Sequence, residues 1–258
     1  MKLKIKKIIN KKNKSPLVCL TAYSKNVSKI LDKYCDIILV GDSLANVLYG
    51  MKNTHQITLW SMIEHAKSVK LGVKKSLLVV DMPKNTYSNS KLALKNAKKI
   101  LKTTKCDAVK IENNRKNFTI IKKLTSSGIP VMGHIGFTPQ YINKFKAVTY
   151  SKKDEKKLMD DAFKIQKAGA FSMVIECVSA KISKKVTESL EIPTIGIGAS
   201  KFCDGQILVT DDMLGMNNSF PKFVKRYLNL NKKINESIKN YVNDVKARRF
   251  PTYKNVYN

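Results

Sequence analysis

The chain lacks the features that would place it in a membrane or in the secretory pathway. It has 258 residues, and no apolar run approaches the roughly 20 residues that a membrane-spanning helix requires. Its first seven residues, Met-Lys-Leu-Lys-Ile-Lys-Lys, form a basic segment. They lack the unbroken apolar run of a secretory signal. We therefore expect a cytoplasmic protein that is long enough to bury a large core.

Cysteines and nucleotide-binding glycines are also sparse. The five cysteines stand at positions 19, 35, 106, 177 and 203, an odd number without metal-finger spacing. Several lie beside apolar strand residues, where a reduced thiol behaves as a small buried hydrophobe. No Gly-x-Gly-x-x-Gly segment follows the first predicted strand. These absences disfavour a disulfide framework and a dinucleotide-binding sheet.

Acidic residues are few, with 19 Asp and Glu against 49 Lys and Arg and a formal charge of +30. Such a charge raises the question of nucleic acid or anionic membrane partners. The excess is nearly all lysine and runs from Lys2 to Lys254, without the interleaved aromatics of a nucleic-acid surface. The pattern favours lysines spread over the solvated surface of the protein. Their mutual repulsion should make the stability depend on salt. A basic nucleic-acid binder is the alternative.

Eight short apolar runs alternate with segments of helical periodicity. A short apolar run bounded by glycine or a charge is typical of a buried parallel strand. Eight such runs separated by helices predict a (β/α)₈ TIM barrel, and an open doubly wound sheet is the alternative. The predicted strands cover residues 17–23, 37–43, 77–81, 108–112, 129–136, 171–176, 193–198 and 206–211.

No linker or low-complexity segment divides the chain, so we expect a single domain over residues 1–258. A lead-in occupies residues 1–16, the barrel 17–215 and a helical tail 216–258. Helical spacing of apolar residues in the tail extends from about Pro221 to Ala247. This helix would pack across one barrel end or against another subunit.

Three of the predicted strands end in a carboxylate, namely Asp42, Asp81 and Glu112. The carboxyl ends of barrel strands share one rim, where active sites lie. Lys110 precedes Glu112 by two residues and so lies on the same side of its strand. Carboxylates without cysteine favour Mg²⁺ over Zn²⁺. A metal that chelates a 2-oxo acid acidifies the neighbouring C–H and stabilises the resulting enolate.

Two further polar residues stand at strand ends. Glu176 would serve as a general base if burial raises its pKa, and His134 would donate a hydrogen bond to the substrate. Structural alternatives remain for each kind of residue. An aspartate at a strand end is commonly a turn residue, His134 could be a satisfied core histidine, and Glu176 could pair with a lysine.

Six segments resemble the ketopantoate hydroxymethyltransferase family, and the match runs in order from about Thr21 to Gly215. The block Gly-His-Ile-Gly-Phe-Thr-Pro-Gln at 133–140 is the most specific of them. The others are Val-Gly-Asp-Ser-Leu at 40–44, Asp-Met-Pro at 81–83, Val-Lys-Ile-Glu at 109–112, Ile-Gly-Ile-Gly-Ala at 195–199 and Cys-Asp-Gly-Gln at 203–206.

The resemblance implies a barrel of the phosphoenolpyruvate/pyruvate class, usually a homodecamer, that uses Mg²⁺ and 5,10-methylenetetrahydrofolate in pantothenate biosynthesis. In the implied reaction, deprotonated 3-methyl-2-oxobutanoate attacks the folate-borne one-carbon unit, giving 2-dehydropantoate and tetrahydrofolate. A Mg-dependent lyase that acts on another 2-oxo acid is the alternative, and the folate requirement separates the two. No specific nucleic acid and no membrane partner is expected.

Residue by residue, the resemblance implies three roles. It implies metal-associated carboxylates at Asp42, Asp81 and Glu112, substrate binding by Asp42, Ser43, Asp81, Lys110 and His134, and a catalytic proton acceptor at Glu176. The chain departs from the family's pattern at Ser24, Lys84, Asn113, Asn114 and Ser200 and in the loop from Tyr141 to Tyr150. None of these departures falls on an implied ligand or base.

Overall fold

Eight parallel strands close into one barrel in chain order. The structure, a computed structural model, describes residues 3–114, 117–142 and 151–257; most of the loop noted above, residues 143–150, lies outside them. Each strand pairs with the next one along the chain, and β8 pairs with β1. The predicted (β/α)₈ barrel is thereby confirmed and the open sheet is excluded.

The elements follow one another as alternating strands and helices. The strands are β1 (Leu17–Thr21), β2 (Ile37–Val40), β3 (Leu77–Asp81), β4 (Ala108–Glu112), β5 (Val131–Gly136), β6 (Ser172–Glu176), β7 (Thr194–Ile197) and β8 (Gly205–Leu208). The helices are α1 (Leu3–Ile9), α2 (Lys25–Leu31), α3 (Leu44–Val47), α4 (Leu59–Gly72), α5 (Ser90–Thr104), α6 (Phe118–Ser126), α7 (Lys152–Lys167), α8 (Ala180–Ser189), α9 (Thr210–Leu214) and α10 (Leu230–Lys246). Short 3₁₀ turns occupy Thr54–Gln56 and Tyr253–Asn255.

The strand predictions were most accurate where an apolar run stops at an acid and were too long elsewhere. Strands β3 and β4 have the predicted bounds, whereas the last strand ends at Leu208 and not at residue 211. Thr210 instead begins α9, whose first turn carries Asp211 and Asp212; acids there suit the positive end of a helix. Ser24 precedes α2, but its side chain makes no capping hydrogen bond.

Side chains of the strands alternate between two apolar clusters, as the two-residue period of a strand requires. One set, including Ile38, Val80 and Ile111, packs outward under the helices. The other fills the barrel interior, and α1 adds Ile5 and Ile8 to it. The inner members from the strands are Leu17, Cys19, Ile37, Leu39, Leu77, Val79, Ala108, Met132, Val174, Ile195 and Ile207.

The chain divides into two compact units after Val209. In the second unit, Tyr227 N donates to Met213 O over 2.9 Å and Asn231 N to Gly215 O over 3.1 Å. The expected helix from about Pro221 begins only at Leu230, and none of its residues is buried. The proposed division at residues 16 and 215 stays a prediction. No helix among the described residues is long and apolar enough to span a membrane.

Candidate active site

The site residues continue the inner face of the strands at their carboxyl ends. Asp81, Lys110, Glu112, His134 and Glu176 each stand two or four residues after an inner apolar residue of the same strand, so their side chains point into the barrel. Register then makes neighbours of them: Asp81 pairs with Lys110, and Glu112 with His134. The structure thus gathers these five residues above the apolar filling of the barrel.

Asp42 and Ser43 lie in the turn that follows β2. The backbone N–H of Asp42 donates to Asp81 Oδ2 over 3.0 Å, which joins this turn to β3. The Ser43 hydroxyl lies 2.9 Å from that of Tyr23, just ahead of α3. Both residues therefore adjoin the rim, as the sequence predicts.

Lys110 is the cation of this cluster. Its Nζ forms an ion pair of 2.9 Å with Asp81 Oδ1 and lies 3.4 Å from His134 Nδ1. Burial acts to lower the pKa of Lys110, but the charges of Asp81, Glu112 and Asp42 outweigh it and raise that pKa. Lys110 therefore stays protonated at neutral pH.

If all of them were ionised, the buried acids Asp42, Asp81 and Glu112 would carry more negative charge than Lys110 neutralises. Burial raises the pKa of Asp81 to about 7; Lys110 opposes the rise and Asp42 adds to it. Burial and the charge of Asp42 likewise raise the pKa of Glu112 well above its usual range. A divalent cation among these carboxylates would relieve this repulsion and lower both pKa values.

Glu176 and His134 face each other at the ends of β6 and β5. His134 Nε2 lies 3.2 Å from Glu176 Oε2, and its Nδ1 lies 3.7 Å from Glu112 Oε1. Burial and the charge of Lys110 lower the pKa of His134, so its ring is neutral. Burial raises the pKa of Glu176 to about 7, against the opposing effect of Lys110. A carboxyl group with that pKa is suited to accept a proton near neutral pH.

A glycine at the end of β5 lets the chain approach Glu176 closely. Gly136 has a φ of 92° and is the register partner of Glu176. A Cβ atom at Gly136 would lie only 2.2 Å from the backbone oxygen of Glu176. The position therefore requires glycine both for its φ and for its space.

The donor set fits Mg²⁺. Of the described residues, four have a buried side-chain atom without a hydrogen bond, and two of these atoms, Asp81 Oδ1 and His134 Nε2, belong to the site. Both lie close to charged neighbours without hydrogen-bond geometry. No three Asp, Glu, His or Cys side chains in the described part come close enough to form an all-protein metal site. Mg²⁺ needs only one or two carboxylates, because water completes its shell.

Sequence reasoning missed three polar residues that hold the acids. Gln140 Nε2 donates to Asp42 Oδ2 over 2.8 Å, and Asn117 Nδ2 donates to the backbone oxygen of Glu112 over 2.8 Å. The Tyr87 hydroxyl donates to Gln140 Oε1. Gln140 ends the most specific motif, which was a signal; Tyr87 and Asn117 carry none, since their contacts depend on how separate loops meet.

The two remaining histidines contact backbone oxygens of neighbouring loops. His55 Nε2 lies 2.9 Å from Pro139 O, and His65 Nδ1 lies 2.8 Å from Tyr23 O. Lys84, one of the departures from the family's pattern, lies 3.3 Å from His55 Nδ1 through its Nζ. These contacts tie together loops around the rim and leave the acids untouched.

A polar cavity of about 360 Å³ lies beside the site, where the loops before α5 and α6 meet. Its wall is rich in uncharged amides and hydroxyls, including Asn85, Asn89, Asn114 and Tyr141. Tyr87 also lines it, while its hydroxyl reaches Gln140. The cavity is thus adjacent to the network that holds the acids.

The fold and the site together define a (β/α)₈-barrel enzyme with its polar residues at the carboxyl end of the strands. Two solved structures share this fold. Phosphoenolpyruvate phosphomutase from Streptomyces platensis is 10% identical, with a TM-score of 0.66 over 95% of this chain and 87% of that one. A phosphonopyruvate hydrolase complex with oxalate and Mg²⁺ is 9% identical, with a TM-score of 0.63 over 98% and 93%.

The sequence model of the family described as ketopantoate hydroxymethyltransferase matches residues 2–253. The chain is 51% identical to 3-methyl-2-oxobutanoate hydroxymethyltransferase from Pelagibacter ubique, over 100% of both chains. It is 48% identical to the protein of that name from Rhizobium etli, over 93% of this chain and 90% of that one. The chain belongs to the ketopantoate hydroxymethyltransferase family, a family of transferases, which confirms the resemblance.

Proposed function

We propose that the protein transfers a hydroxymethyl group from 5,10-methylenetetrahydrofolate to 3-methyl-2-oxobutanoate. With one water molecule, which supplies the hydroxyl oxygen, the products are 2-dehydropantoate and tetrahydrofolate. The observation that carries the proposal is the position of Glu176 next to the cluster of Lys110, Asp81 and Glu112. Its carboxyl group is largely shielded from solvent, with 16% of the side chain exposed, and has a pKa of about 7. This arrangement pairs a proton acceptor with a cationic binding site for an acid.

Asp42, Asp81 and Glu112 are the residues that we propose to hold Mg²⁺, some directly and the rest through water. The bound ion supplies Lewis-acid stabilisation of the negative charge that develops on the keto oxygen. Lys110 contributes a fixed positive charge for the substrate carboxylate. Ser43 and neutral His134 contribute hydrogen-bond donors at the same rim.

Glu176 takes the proton from the carbon next to the keto group in this proposal. Because burial holds its pKa at about 7, much of it is ionised at neutral pH while it remains basic enough to accept a proton. His134, 3.2 Å away, would orient the carboxylate. The methylene carbon of the folate exchanges its two C–N bonds for a C–C bond to the resulting carbanion and a C–O bond to the water molecule. The two folate nitrogens gain one proton from the water and, by way of Glu176, the one removed from the substrate.

The decisive assay measures 2-dehydropantoate by mass spectrometry with the folate donor and Mg²⁺ each present or omitted. We expect product only when both are present and its loss on complete metal removal. Consumption of a 2-oxo acid without folate would instead support the alternative, a Mg-dependent lyase. Product formation after removal of the metal would contradict the role given to the three acids.

We also propose a homodecamer in the cytoplasm, without a specific nucleic-acid partner. Buried free thiols at all five cysteines suit a reducing compartment. Helix α10 keeps apolar side chains such as Ile238 and Tyr241 exposed, as an assembly surface requires. Light scattering should give ten times the chain mass of 29.1 kDa; a mass of one chain at working concentration would contradict the assembly.

A further inference from the structure

Gln140 bridges two of the carboxylates from a fully enclosed position. Its side chain is buried, with 1% of the residue exposed. The side-chain Nε2 donates to Asp42 Oδ2 over 2.8 Å and to Met82 O over 3.1 Å. Its backbone N–H donates to Glu112 Oε2 over 3.0 Å. One residue thus holds an acid that follows β2 and another that ends β4.

The orientation of the Gln140 amide is fixed by its partners. Asp42 Oδ2 and Met82 O both accept hydrogen bonds, so the group between them must be the NH₂. The Tyr87 hydroxyl donates to the opposite atom, Oε1, and Tyr87 is itself buried. A flipped amide would set oxygen against two acceptors. The three hydrogen bonds of the Gln140 amide therefore specify one orientation.

Such a bridge counteracts the electrostatic repulsion between the two acids. The charges of Asp42 and Glu112 repel each other, and that repulsion contributes to the raised pKa of Glu112. Hydrogen-bond donors from Gln140 stabilise the ionised form of each carboxyl group at a fixed position. They take one oxygen of each carboxylate, which leaves the second oxygen for a cation or its waters. A ligand set held in this way loses little conformational freedom when a cation binds.

We propose that Gln140 is a positioning residue that presents the carboxylates of Asp42 and Glu112 to the divalent cation, and that Tyr87 fixes the Gln140 amide for this task. The inference rests on the proposed function, since it takes Mg²⁺ as the cation. It concerns residues to which neither the motifs nor the family resemblance gives a role. Neither residue is proposed to touch the reacting atoms.

The test is Mg²⁺ binding to the intact protein without substrate, measured by titration calorimetry. Gln140→Met removes the side-chain donors, keeps the backbone N–H and is close in volume. Loss of an outer partner of a metal ligand typically weakens metal affinity by about 10–100-fold, and we expect that range. Tyr87→Phe keeps the Gln140 amide but removes the hydrogen bond that fixes its orientation. The Mg²⁺ affinity of this variant should therefore fall less, by about threefold to tenfold.

Gln166→Met is the matched control. Gln166 also bridges through its amide, accepting from the backbone of Glu191 and Ile192. It lies at the end of α7, just before the start of β6, and therefore at the end of the barrel opposite the rim. The Mg²⁺ affinity of the Gln166→Met variant should equal that of the wild type. Thermal unfolding without metal is recorded for every variant, so that a loss of affinity is separated from a loss of fold.

The Mg²⁺ affinities of the folded variants decide between support and refutation. Weakened Mg²⁺ binding by a folded Gln140→Met variant, with a normal control, supports the inference. Affinity within twofold of the wild type would overturn it, and if Gln140→Met does not fold, unchanged affinity in Tyr87→Phe does the same. Absence of Mg²⁺ binding by the wild type would instead overturn the proposed function, and the inference with it.

Discussion

Burial sets the chemistry of individual residues at the rim more than their position in the sequence does. Glu176 shows this most clearly, since its pKa of about 7 arises from burial and is only partly offset by Lys110. Neutral His134 lies 3.2 Å from its carboxylate. The sequence indicated that Glu176 ends a strand, but its environment decides whether it works as a base.

The pH dependence of proton removal follows from this pKa. Glu176 must be ionised to act, so the rate of proton exchange from 3-methyl-2-oxobutanoate should rise about tenfold between pH 6 and pH 8 and level off above that. Exchange is measured by NMR in D₂O with saturating Mg²⁺. A midpoint near the ordinary glutamate pKa of about 4.3 would contradict the assignment.

Charged residues of the site were predictable and the amides were not. Asp81, Lys110 and Glu112 end apolar strands, and parallel strands bring such ends together. Gln140 carries no charge, and its importance depends on the positions of Asp42 and Met82, which come from other loops. No period or spacing within one segment encodes a contact of that kind.

At the scale of elements, the close approach of β5 to β6 depends on a missing side chain. Gly136→Ala should destabilise the protein by about 3 kcal/mol or more, because the left-handed φ costs an alanine about 1–2 kcal/mol and the Cβ would also meet Glu176 O. Urea unfolding measures the loss. Proton exchange should fall too, since Glu176 must move.

Gly128→Ala is the matched control. Gly128 follows α6 with a φ of 77°, and nothing lies within 4 Å of a Cβ placed there. The free energy of unfolding of Gly128→Ala should fall only by the conformational cost of about 1–2 kcal/mol. This variant should keep full proton-exchange activity. Equal losses in the two variants would show that the contact with Glu176 is unimportant.

A carboxylate at the end of α2 joins that helix to the start of β3. Asp32 accepts from the backbone N–H groups of Lys74, Lys75 and Ser76 at 2.8–3.1 Å. Burial alone would raise the pKa of Asp32, but these hydrogen bonds outweigh it and lower the pKa below 3.8. The loop before β3 thus relies on an ionised side chain.

Asp32→Asn should destabilise the protein by about 1–2 kcal/mol at pH 7, measured by urea unfolding. A lowered folded pKa gives stability that is present above the unfolded pKa of about 3.9 and is lost as the pH falls through the folded value. The deficit of the variant should therefore shrink below about pH 4. Exposed Asp160→Asn on α7 is the control, and an equal deficit there would contradict the assignment.

The element boundaries show what a linear pattern can and cannot determine. Strands β3 and β4 stop where their apolar run meets Asp81 or Glu112. In both, the apolar sequence pattern and the strand end at the same residue. Strand β8 was predicted too long because the apolar run leads directly into Thr210, where a helix begins. The residues after Leu208 suit either a strand or a helix locally. The pairing of β8 with β1, which ends at Leu208, decides between the two.

The whole molecule carries a formal charge of +30, which should make its stability depend on ionic strength. At 0.1 M salt the screening length is about 10 Å, so repulsion among distant lysines is largely removed. The melting temperature should rise on the order of 5 °C between about 20 and 300 mM salt. Sodium and potassium chloride should act alike, and a flat or falling melting temperature would refute this account.

Removal of a proton by Glu176 at a site that depends on a divalent cation is the central claim. The most direct measurement is NMR exchange of the proton next to the keto group of 3-methyl-2-oxobutanoate in D₂O, without folate. We predict exchange by the wild type with Mg²⁺, its abolition on metal removal, and a fall of at least about 100-fold in Glu176→Gln with substrate binding retained. Unaltered exchange in Glu176→Gln would contradict the claim.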